Sequence, residues 1–73
     1  MFTDATKAIH AAEVRGQKLM MLQLQVLLNA DEVRVVGPKE FCQEVDIKPS
    51  FAREVRKMLA LDRLMRQQGK RLN

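Results

Sequence analysis

Residues 38–57 constrain this chain more than any other stretch. Two short segments with helical apolar spacing, each preceded or opened by a proline, are separated by a connection of three residues starting at Asp46. Phe41, Val45 and Ile47 fall where a first helix and its turn must be buried, and Ala52 and Val55 supply the facing stripe of a second helix. Cys42 lies where two crossing helices approach most closely, and its small thiol packs there as alanine would. Pro49 suits the first position of the second helix, because its fixed φ is helical and its missing N–H would have had no partner. Asp46 stands where glycine is usual, and aspartate tolerates the left-handed conformation better than most residues. The pattern is that of a helix-turn-helix over 38–57; an ordinary antiparallel helix pair would show much the same periodicity.

The 73 residues suffice for one domain with a small core, so 1–73 is read as a single unit. With 47% apolar residues but only three Phe and no Trp or Tyr, that core must be built mainly from Leu, Val and Met. Met20, Met21, Met58 and Met65 are expected inside. Thr3 or Asp4 can cap a first helix carrying Ala5, Ala8, Ile9 and Ala12; Leu19, Met20, Leu22, Val26 and Leu27 continue the periodicity beyond Gly16. The change from small to large side chains at Gly16 predicts a loosely packed front, 1–16, and a firm helix over 17–29 within a core spanning 17–68. Residues 33–36, rich in valine, suit a short extended segment. Such a segment either offers free backbone groups to another chain or is a linker whose valines plug the core. The last helix should start near Pro49, present Phe51, Ala52, Val55, Met58 and Leu59 on one face, and turn Leu61, Leu64 and Met65 toward the leucines and methionines of the first region. Asp62 and Arg66 should pair on its outside, and Gly69 should end it, leaving 69–73 as a flexible basic tail. The fold expected is therefore all-α, a domain of three to four helices containing a helix-turn-helix, with one short extended segment.

Charge separates the two halves. Residues 1–37 are neutral overall, so the net charge of +4 lies entirely beyond residue 37, and the last eleven residues contain no acid. This skew fits an anionic partner, either phosphate backbone or an acidic protein surface, though a solvated basic tail would produce it too. Glu40, Glu44 and Glu54 dilute the positive field within the motif.

Little supports catalysis. His10 is the only histidine and has Glu13 alone as a nearby metal-type ligand, Cys42 has no spacing partner for zinc, and no glycine loop would cradle a phosphate. We expect no enzyme, no cofactor, no metal and no small-molecule substrate. A single cysteine, the lack of a basic leader before an apolar stretch, and apolar runs too short for a bilayer suit a cytoplasmic protein that does not enter membranes. If the motif reads DNA, Lys48, Ser50, Arg53, Glu54 and Lys57 face the groove, Lys48 and Arg56 approach phosphates, and Arg53 is the best base reader.

Taken end to end, and especially through residues 34–42 (RVVGPKEFC) and 46–55 (DIKPSFAREV), the chain resembles small transcription regulators of lytic phages of plant-pathogenic bacteria. The resemblance implies binding to the large subunits of the host's RNA polymerase in the bacterial cytoplasm. It further implies inhibition of promoter initiation by disturbing sigma factor, and a role in antitermination. No contact residue carries over from it. Our reading places a polymerase segment on Val33, Arg34, Val35, Val36 and the adjoining N-terminal helix, and acidic polymerase surface on Arg53, Arg56 and Lys57. The alternative is a DNA-binding helix-turn-helix repressor. A small assembly factor that oligomerises through residues 19–28 is a third class.

Overall fold

The computed structural model describes residues 2–12 and 14–69. Five α-helices follow one another: α1 (Thr3–Ala11), α2 (Arg15–Leu28), α3 (Ala30–Val36), α4 (Pro38–Glu44) and α5 (Ala52–Gln67), with a 3₁₀ turn, Pro49–Phe51, leading into α5. No strand occurs among the described residues. The chain is all-α, as its periodicity implied. Of the expected basic tail, 69–73, residues 70–73 lie outside the described residues.

Phe41 occupies the centre of the core. It is fully buried with Ile9, Val26, Val33, Cys42, Val45 and Val55, and Phe2 meets it edge to face with ring centroids 4.9 Å apart. That contact overturns the expectation of a loosely packed front. Phe2, Ala5 and Ile9 all belong to the core, because Ala5 and Ile9, four residues apart, share the inner face of α1 and Phe2 anchors its start. The cap of α1 is Phe2 itself, without a side-chain bond, and Thr3 and Asp4 lie within the first turn. Thr6 Oγ1 donates to the Phe2 carbonyl at 2.7 Å.

The valine-rich segment is helical, not extended. Asp31 and Glu32 lie in the first turn of α3 and Arg34 in its last, the order that favours a helix dipole. Burial of Val33 adds to this and overrides the strand preference of valine. Gly37 ends α3 and begins α4 at φ 91°, donating to the Val33 carbonyl while its own carbonyl accepts from Phe41 N–H. A side chain here would be strained, so glycine suits this joint between α3 and α4.

The connection from α4 to α5 forms a complete C-terminal cap. Ile47 N–H donates to the Cys42 carbonyl at 3.0 Å, Asp46 N–H donates to the Gln43 carbonyl at 3.2 Å, and Asp46 takes φ 57°. These two bonds around a left-handed residue define a Schellman motif, with Ile47 half-buried against the core. Lys48 is extended, as a residue preceding proline must be, and Pro49 opens the next turn. Phe41, Val45, Ala52 and Val55 are buried around this connection, which is therefore a helix-turn-helix.

Methionines divide between inside and outside. Met58 is buried and Met21 packs against the core, but Met20 is 61% exposed. Leu64 is 53% exposed and Leu61 is exposed too, so neither packs under α2 as expected. We predict that Asp46→Gly stabilises the fold by about 0.5–1 kcal/mol in urea unfolding, because glycine adopts the left-handed conformation without cost. A loss of stability would show that the Asp46 side chain, and not the backbone, holds the turn.

Candidate nucleic-acid interface

Seen down its axis, α5 separates its charges by sign. Arg53, Arg56, Lys57 and Arg63 are exposed, and at 100° per residue they share one side with Ala60, Leu64 and Gln67. The helix contains two acids, and both leave that side. Glu54 is half-buried and its Oε1 accepts from Gln23 Nε2 of α2 at 2.7 Å. Asp62 is 1% exposed. The outer face is thus cationic without an acid of its own helix. Lys48 and Ser50, both exposed, extend it past the N-terminus of α5. Glu40 and Glu44 are exposed on α4.

Asp62 is held by two guanidinium groups. Its Oδ2 lies 3.0 Å from Arg34 Nη2 and 3.0 Å from Arg66 Nε, while Asp31 Oδ1 lies 3.0 Å from Arg66 Nη2 and 3.7 Å from Arg34 Nη1. The contacts to Asp62 Oδ2 are at ion-pair distance but outside hydrogen-bond geometry. Arg34 Nη2 also donates to the Leu59 carbonyl at 2.9 Å. Two acids and two bases thus tie α3 to α5. The Asp62–Arg66 pair expected on the outside is present, but inside, because Arg34 arrives from another helix to complete it.

The network also sets where residues 33–36, the expected partner surface, lie. Val33 is buried, Val36 is half-buried, and Arg34 is committed to Asp62. Val35 alone is open, at 83% exposure. Val33 is tied down at both backbone groups, its N–H donating to the Asn29 carbonyl at 2.9 Å and its carbonyl accepting from Gly37 N–H at 2.8 Å, so the segment presents no extended strand edge to another chain. Of the residues proposed for DNA, Lys48, Ser50, Arg53 and Lys57 are exposed at or near one face, as is Arg56, whereas Glu54 turns to α2. Arg63 was missed, and projecting the helix from Arg53 would have found it.

His10 reaches across from α1, its Nε2 donating to the Val45 carbonyl at 2.7 Å. That carbonyl belongs to the end of α4, where helix geometry leaves acceptors without partners. Burial pushes the Cys42 thiol above its ordinary range, and the nearby Arg56 guanidinium offsets part of the rise. A buried, protonated thiol is a packing group, not a nucleophile. Among the described residues no group of three or more His, Cys, Asp or Glu is placed to hold a metal ion, and no helix is long and apolar enough to cross a membrane.

Residues 2–68 match the HTH-like domain family, and the chain belongs to that family. No curated protein and no solved structure matches it. The fold and the family together make this a helix-turn-helix protein, with α5 as the second helix of the motif.

Removing the Asp62 carboxylate should leave two part-solvated guanidinium groups without their shared partner. Asp62→Ala is expected to cost about 2–3 kcal/mol in denaturant unfolding, less than a fully buried pair because both arginines retain some water. Asp31→Ala, at the exposed end, should cost under about 1 kcal/mol. Equal costs would show that the buried carboxylate is not the centre of the network.

Proposed function

We propose that the protein is a transcription regulator without enzymatic activity that binds duplex DNA through the outer face of α5. One observation carries this reading: the second helix of a helix-turn-helix presents Arg53, Arg56, Lys57 and Arg63 to solvent while both of its acids are turned inward. Phosphate contacts from such cations fix a protein on the duplex, and side chains at the front of the helix reach base edges. Lys48 and Arg56 take phosphates, and Arg53 is the base reader. Ser50 and Lys57 flank it.

A second reading rests on a different surface. Met20 and Leu24 are exposed on α2 and line an apolar groove with Ala8, Ala11 and Ala12 of α1. DNA has no use for such a groove, whereas a protein partner would cover it. The resemblance to phage regulators suggests bacterial RNA polymerase as that partner, with inhibition of initiation and antitermination as consequences. In this reading Arg53, Arg56 and Lys57 meet acidic polymerase surface.

Fluorescence anisotropy with labelled protein, titrated separately with duplex DNA and with purified bacterial RNA polymerase, decides between them. The DNA reading predicts that log K falls against log salt with a slope of about −3.5, from about four phosphate contacts, and that Arg63→Ala reduces its magnitude by about 1. Arg53→Ala should cost about 1–3 kcal/mol and relax sequence preference. Polymerase binding that is lost in Met20→Glu, with no DNA binding, would replace this reading by the second.

A further inference from the structure

A separate cavity of about 390 Å³ lies between the N-terminal helices and the helix-turn-helix connection. Its walls come from Ile9 of α1, Leu19 and Leu22 of α2, and Ile47 and Phe51 from the connection. Gly16 and one charged residue, Lys18, complete the lining. Lys18 is half-buried, and its ammonium has no carboxylate or carbonyl partner among the described residues. The volume lies within the range of small-molecule sites, about 300–1,000 Å³, which are apolar clefts with few polar groups to fix orientation.

We propose that this cavity binds an amphipathic organic carboxylate, with its hydrocarbon body against Ile9, Leu22, Ile47 and Phe51 and its carboxylate on Lys18. Charge complementarity selects this class. A neutral hydrocarbon would leave the ammonium unpaired, and a strongly hydrated dianion would forfeit the apolar walls. We take the ligand as an effector: among the described residues that line the cavity Lys18 is the one titratable group, with no acid–base partner beside it. Ile47 follows the left-handed Asp46, and Phe51 directly precedes α5. Occupancy therefore bears on the residues that set the direction of α5. That consequence for DNA affinity rests on the nucleic-acid reading above; the binding itself does not.

The test uses octanoate as the probe and octanol as its uncharged counterpart, followed by ¹H–¹³C methyl spectra of the full chain without DNA. Octanoate should bind saturably, shifting the methyls of Ile9, Leu19, Leu22 and Ile47, and about two- to fivefold more tightly than octanol, the factor expected for one part-solvated charge pair. Lys18→Gln should abolish that preference. Gly16 lines the same cavity and has open space where a Cβ would stand, so Gly16→Leu should fold normally and weaken both probes. Equal affinity for the two probes, no saturation, or shifts confined to other methyls would overturn the proposal. Because no nucleic acid is present, its failure is distinct from failure of DNA binding, which the anisotropy titration reads alone.

Discussion

Both acids of α5 serve the interior, and the outer surface of the helix follows from that. Asp62 gathers Arg34 and Arg66 at 3.0 Å each, and Glu54 accepts from Gln23. The first interaction fixes α3 against α5, and the second fixes α2. What is left facing solvent is a row of arginine and lysine whose field no neighbouring carboxylate on the helix cancels. A buried carboxylate is costly unless paired, so the same network that makes the fold specific also polarises its surface.

The short helices depend on how they end. α3 and α4 have seven residues each, too few to persist alone. Gly37 joins them by a left-handed link, and the two bonds around Asp46 close α4. His10 then donates to Val45 from α1, so the lone histidine supports the turn from behind. Phe2 and Phe41 add an aromatic contact between the same two regions. The N-terminal helix is thus a brace for the helix-turn-helix.

Much of this was legible in the residues. The spacing of Phe41, Val45, Ala52 and Val55 locates the motif, and the place of Asp46 within it marks the left-handed position. The strand expectation at residues 33–36 failed because local valine preference competes with long-range burial of Val33 and with the Arg34–Asp62 pair, which no window of neighbouring residues contains. Packing of α1 was missed for a related reason: Phe2 lies outside the periodic stretch, and its partner Phe41 is far away in sequence. The cationic face was half visible. Arg53, Arg56 and Lys57 were found, yet Glu54 was counted with them because its direction depends on Gln23 of another helix. The cavity beside Lys18 arises from three separate parts of the chain and left no local signal.

The measurement that bears most directly on the role of α5 is amide chemical-shift mapping of the ¹⁵N-labelled chain upon adding short duplex DNA. The account predicts that the largest changes fall on residues 48–57 and on Arg63, with the amides of α1 and the first half of α2 nearly unmoved. Changes concentrated on α1 and α2, with α5 silent, would contradict it.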